Sequence, residues 1–352
     1  MKRLIFYFCI LSVVFQGCST DIDVTGDYKE TMVVYCLLDQ SQPKQYIKIN
    51  KAFLGKGDAL LFAKIKDSVQ FVKSLDVKLK RLLDGKEFVL TPDNTIKKNE
   101  GTFYSGDQAN AIYSFNSTGA GALNPNSQYT LSVTNTETGN TVTSTTSLIS
   151  NFEITKPFST SNTSLFIFTP PNENTRLFVE WLSSKNARMY QLIVRLNYKD
   201  FITVNGVKDT VDHHLDWVFP VHTTSTANGN ETMGNDFSRI EYLDYIGHNI
   251  SDYADLTSRK VVNVDLIIVA GGQELNTFIE VNKPSGGLVQ DKPIYTNINN
   301  GFGIFSSRYY KPPFILTLLN NVPGKELDSL ACGRFTKKLK FLNAAGVLPG
   351  CL

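Results

Sequence analysis

Alanine is scarce in this chain: 14 residues of 352, against 23 phenylalanines, 31 threonines and 29 asparagines. Aromatic and β-branched residues suit half-buried pleated surfaces and asparagine suits turns, and with long amphipathic helical patterns missing a helical-repeat architecture is disfavoured. Histidine (4), tryptophan (2) and cysteine (5) are also few. No CxxC or Cys/His zinc spacing occurs, and there is no Gly-x-Ser-x-Gly elbow, His-Glu-x-x-His or Gly-x-x-x-x-Gly-Lys. Gly301-Phe302-Gly303 lacks the third glycine of a dinucleotide site. The chain is therefore read as non-enzymatic and without a cofactor. A formal charge of +2 is too mild for a nucleic-acid partner. No apolar run approaches the ~20 residues of a transmembrane helix.

Twelve largely apolar residues, Leu4 to Phe15, do follow Lys2 and Arg3, and Gln16-Gly17-Cys18 comes next. A basic start, an apolar segment and a small residue before the cut are the parts of a secretory signal, expected over residues 1–17. Phe15-Gln16-Gly17-Cys18 resembles a bacterial lipobox, in which the cysteine is acylated with fatty acids such as palmitate and becomes the mature N-terminus. Residues 18–30 then read as a lipidated tether. Asp21 and Asp23, just behind Cys18, resemble the surface-export signals of Bacteroidota lipoproteins, so an outer-membrane position facing outward is expected over one facing the periplasm. Loss of Lys2 and Arg3 leaves 33 basic and 33 acidic residues, a formally neutral body. Export also places the remaining cysteines in an oxidising compartment: Cys332 and Cys351 are expected to pair, and Cys36, inside the strand-like 31–38, to be a buried small hydrophobe.

The body reads as mainly β, two β-sandwich-like domains with a few short helices. Strand patterns cover 31–38, 45–54, 75–82 and 86–91, the last two joined at Asp84-Gly85, and then 101–104 and 111–115. Residues 58–73 read as a helical excursion or a loop. Leu123-Asn124-Pro125 to Tyr129-Thr130-Leu131-Ser132-Val133, returning through Thr141–Leu148, resembles the final hairpin of an immunoglobulin-like or fibronectin-type sandwich. The first domain is thus placed at 31–150, with Tyr129 as a structural corner residue. The second, at 151–352, has Trp181 in its core, strands at 178–181, 187–196 and 261–270, and short helices at 237–246 and 273–282.

Two groups are candidates for function. Asp212-His213-His214-Leu215-Asp216 is the densest set of metal-ligand types. In a strand, Asp212, His214 and Asp216 share a face. The competing reading is the flank of a polar hairpin turning at Asn205-Gly206. Trp217, Tyr309 and Tyr310 lie beside turn residues or prolines and offer an aromatic surface for a glycan or peptide, with core packing as the alternative.

Finally, Asn297-Ile298-Asn299-Asn300-Gly301-Phe302-Gly303-Ile304-Phe305 resembles the signature of an uncharacterised Bacteroidota lipoprotein family, domain of unknown function 4249. Val33-Val34 to Leu37 and the length fit the same family, and Asn300 stands where that family has glycine. The resemblance implies no reaction. It implies an accessory subunit beside a TonB-dependent receptor in the outer membrane. Further readings of the chain are a surface glycan-binding sandwich lipoprotein and a metal-dependent enzyme using the 212–222 region.

Overall fold

The computed structural model describes residues 30–53, 58–71, 73, 75–97, 99, 104, 111–157, 176–283, 294–317, 327–343 and 345–351. The signal 1–17, Cys18 and nearly all of the tether lie outside these residues, as does most of the strand expected at 101–104.

The protein is mainly β. Its first unit begins with β1 (Met32–Asp39) and β2 (Lys44–Lys51), followed by two short helices, α1 (Ala59–Ala63) and α2 (Lys66–Val69). β3 (Asp76–Arg81), β4 (Glu87–Pro92), β5 (Ile112–Asn116), β6 (Gln128–Thr134) and β7 (Thr141–Ser147) complete it. Period-two alternation turns Met32, Val34, Cys36 and Leu38 of β1 inward, to meet Val77, Leu79, Leu131 and Val133 in one core. Tyr129 is fully buried, and its hydroxyl accepts from the Asn124 amide at 2.7 Å, pinning the chain that enters β6.

The second unit contains β8 (Ile154–Lys156), β9 (Arg176–Leu182), β10 (Ala187–Val204), β11 (Val207–Val218), β12 (His222–Thr223) and β13 (Thr232–Ser238). After them come α3 (Arg239–Asn249), β14 (Leu256–Gly272), α4 (Gln273–Asn282), β15 (Phe302–Tyr310), β16 (Phe314–Thr317) and α5 (Asp328–Cys332). β13, β9 and β8 form a small sheet that carries Trp181 against Tyr190, Leu192 and Val194 of β10. Tyr190 repeats the Tyr129 device, its hydroxyl accepting from the Ser184 amide. Ser238 starts α3 through a reciprocal capping box with Glu241.

One sheet runs through both units in the order β11-β10-β14-β15-β1-β2-β5-β4-β3-β6-β7. Its join is β15, paired in parallel with β1 from Val33–Phe302 to Asp39–Arg308 and antiparallel with the end of β14. The core of the first unit is therefore completed by Ile298 and Phe305, from deep in the second half of the chain.

The glycine-bearing segment resembling the lipoprotein signature builds this join. Asn297 mimics a strand neighbour, its side chain accepting from the Phe305 amide at 2.9 Å and donating to the Phe305 carbonyl at 2.7 Å. Asn299 bridges to Thr143 of β7. Asn300, at φ 60°, takes the left-handed conformation that asparagine shares with glycine. Gly303, at φ 110°, sits so close to β1 that a Cβ would lie 1.9 Å from the Val34 carbonyl oxygen. This is a backbone-approach role, as the glycines suggest.

At the far end of β10 and β14, Asp200 and Arg259 form a buried ion pair at 3.0 Å. Tyr253 donates to Asp200 at 2.8 Å, and Arg259 donates onward to the carbonyls of Leu339 and Ser251. The C-terminal tail docks on the Arg259 backbone, which exchanges hydrogen bonds with Lys340 and Leu342. Cys332 and Cys351 are joined in a disulfide across that tail, and Cys36 is buried and unbridged in β1, where burial pushes its thiol pKa up.

Candidate functional site

Asp212, His214 and Asp216 do share the outer face of β11, but the neighbouring strand has already engaged the two aspartates. Lys199 lies 3.2 Å from Asp212, and Asn197 stands opposite His214. Arg195 grips Asp216 with two bonds of 2.6 and 2.8 Å, which holds that carboxyl below its ordinary range. A carboxylate paired in this way is not an open metal ligand. No group of three or more His, Cys, Asp or Glu side chains suited to a metal occurs among the described residues. The candidate ligand set is corrected to a cross-strand polar ladder. Its partners come from β10, on the other arm of the hairpin that turns at Asn205-Gly206.

The aromatic surface is corrected too. Trp217 stacks on Tyr242 at 5.7 Å and Tyr245 at 5.2 Å and meets Phe237 edge-on, so its ring is committed to packing α3 against the sheet. Tyr309 is 7% exposed and donates to Asn151 at 3.0 Å. Tyr310 is half-buried, and its ring carries the Arg308 guanidinium at 4.7 Å. Pairing of β15 with β14 alternates the two tyrosines to opposite faces, and they form no common platform. The glycan reading depended on such a platform and is withdrawn.

A concave site lies elsewhere, in the segment that sequence patterns leave as excursion or loop. Asp58 caps α1 by accepting from the Leu60 amide, and α2 is held to β2 by Asn50, which donates to the Val69 carbonyl at 3.2 Å. Between α2, the chain leading to β3, and strands β2, β4 and β5 is a cleft of about 240 Å³. Gln70 and Tyr113 line it with Lys66 and Lys73, and Phe71, Pro92 and Ile112 are among its apolar walls. Gln70 is 6% exposed, and its amide nitrogen has no hydrogen-bond partner among the described residues. An unpaired buried donor costs about 1–3 kcal/mol, and native folds keep few of them. The Tyr113 oxygen accepts from the Leu75 amide at 2.8 Å, which leaves its own proton to donate. Burial raises the Tyr113 pKa despite that amide, so the proton is retained at neutral pH. Lys73 is paired with Glu137 at 2.6 Å.

The other described clefts are less built. One lies over the β10–β11 hairpin beside Lys208 and Thr210; the other is lined by surface cations, Arg334, Lys337 and Lys338.

No protein-family model matches the chain, and no curated protein matches it.

Sequence reasoning missed the cleft because Gln70 and Tyr113 are brought together by the pairing of β5 with β2 and β4. A local signal existed in Asp58 ahead of the apolar run Ala59–Ala63, a helix start that marks the excursion as ordered.

Proposed function

We propose that this protein is a non-catalytic binding lipoprotein of the bacterial outer membrane, anchored through acylated Cys18 and working as an accessory subunit beside a TonB-dependent receptor. The observation that carries the binding role is the cleft with its unpartnered Gln70 donor. Anchoring is supported by Lys2-Arg3, the apolar Leu4–Phe15 and Gly17-Cys18, and the receptor by the resemblance of the 297–305 segment to the lipoprotein family. The geometry at the start of β1 agrees with a tether. Glu30 receives hydrogen bonds from Asn135 and Thr138 at the β6–β7 turn, so the chain enters the body at that tip. The chain from Cys18 to Met32 spans at most about 50 Å when extended. Several acyl chains give a stable hold where one alone is marginal.

Membrane fractionation with mass spectrometry of the N-terminal peptide tests the anchor. Acylated Cys18 in the outer-membrane fraction is expected, and Cys18→Ala is expected to lose it. An unmodified Cys18 in a released protein overturns the anchor. Co-purification from the native membrane tests the partner: a TonB-dependent receptor is expected in the eluate, and its absence under crosslinking removes that part. Protease treatment of intact cells is expected to cleave the protein if it faces outward.

A further inference from the structure

The donor set of the cleft and its surroundings name a ligand class. We infer that the cleft binds a small monocarboxylate bearing an apolar group, with the carboxylate between Gln70, Tyr113 and Lys66. This deepens the binding role proposed above and rests on it.

Hydrogen-bond polarity comes first. Gln70 brings an amide nitrogen with no acceptor, and Tyr113 brings a hydroxyl whose oxygen is already occupied by the Leu75 amide. Both therefore seek an acceptor. No aspartate or glutamate is among the described lining residues. Asn94 and the Gln70 amide oxygen also bring acceptors to the lining, but the buried side-chain atom left unpartnered there is a donor, so the missing partner is an acceptor.

Charge comes second. Lys73 is neutralised by Glu137, while Lys66, on exposed α2, makes no ion pair among the described residues. One uncompensated cation matches one negative charge. A phosphate dianion calls for more cations than this, and a neutral sugar gives the ammonium nothing to neutralise. Two carboxylate oxygens suffice: one for the buried donors and one for Lys66.

Shape comes third. The remaining walls include Ile49, Phe71, Pro92 and Ile112, apolar surface that a charged head alone leaves uncovered. An apolar group attached to the carboxylate covers it. A free acid and the C-terminus of a short apolar peptide share this chemistry, and the experiment separates them.

The test uses the full chain in lipid nanodiscs, with calorimetric titration by 4-phenylbutyrate, its neutral amide, inorganic phosphate, and an Ala-Phe dipeptide with a free or amidated C-terminus. Saturable one-to-one binding of the acid is expected, with the amide at least about tenfold weaker. Lys66→Gln, on the surface and therefore harmless to folding, is expected to weaken the acid about tenfold and leave the amide unchanged. Gln70→Leu is expected to weaken the acid while retaining the melting temperature, since it removes the unpaired donor. Tighter binding of the free-ended dipeptide than of the free acid assigns a peptide source, and the reverse a metabolite; either supports the class. Equal binding of acid and amide, displacement of the acid by phosphate, or no saturable binding beyond that of Lys66→Gln discs overturns it. Acylation and receptor association are read in separate experiments, so failure here is distinguishable from failure of the anchor or partner.

Discussion

A few single residues here have roles that no ordinary replacement can fill. Gly303 combines a positive φ with an approach to Val34 that leaves no space for a Cβ. Gly303→Ala is expected to cost at least about 2 kcal/mol, read as a lowered melting temperature in circular dichroism; an unchanged melt contradicts the strand-insertion role. Asp93 is buried and is held as a carboxylate by its neighbours. Hydrogen bonds from Lys44 first, then Thr95 and Ser114, keep its carboxyl well below the usual carboxylate range. A carboxyl depressed in the folded state contributes stability that is complete above its unfolded pKa, about 4, and is lost as pH falls below it. Melting temperature against pH should therefore drop on the acid side, and Asp93→Asn should flatten that drop while lowering the melt at neutral pH. The Asp200–Arg259 pair makes a third case. Removing one partner strands the other charge in the core, so Asp200→Asn or Arg259→Met is expected to cost about 3 kcal/mol or more in a denaturant titration. Replacing both with apolar residues of like volume is expected to recover most of that loss.

Elements show how far sequence reasoning reaches and where it stops. Strands with one face in a core announce themselves by alternation. β6 and the first half of β10 are legible because Leu131 and Leu192 sit in series that recur every second place with largely polar neighbours, and β1 is legible as a short run rich in β-branched and aromatic residues. The helices at 239–249 and 273–282 are legible in part from apolar spacing at the helical period of 3.6 and from the Ser238 cap. β11 is not, since its solvent-facing arm carries Lys208, Asp209, Asp212 and His214 in place of apolar residues. For the same reason its acidic residues resemble metal ligands: the cations that neutralise them, Lys199 and Arg195, are visible only after the hairpin is closed. Trp217 reads as exposed beside turn chemistry, yet α3 covers it. Whether an aromatic side chain is covered depends on elements that pack from elsewhere in the chain, which local composition does not specify. The cleft at Gln70 is the extreme case, an assembly of long-range neighbours with no linear motif.

At the scale of the whole molecule, the tail and the shared strand govern integrity. Cys332 and Cys351 close a loop with a separation of 19 residues, and chain entropy assigns such closure about 3 kcal/mol. Reduction is expected to release residues 339–342 from the Arg259 backbone, lowering the melt and raising amide exchange there; an unchanged exchange pattern shows that packing of Leu339 and Phe341 holds the tail alone. The parallel union of β1 and β15 has a mechanical meaning as well. Tension entering at the N-terminal end of β1, where a membrane tether would attach, is resisted by the body beyond the C-terminal end of β15. The two pulls act along the strands in opposite directions, so the rungs from Val33 to Asp39 are sheared together and share the load. They do not peel apart one by one. A body built this way transmits force from the start of β1 to its far unit without first unfolding the near one.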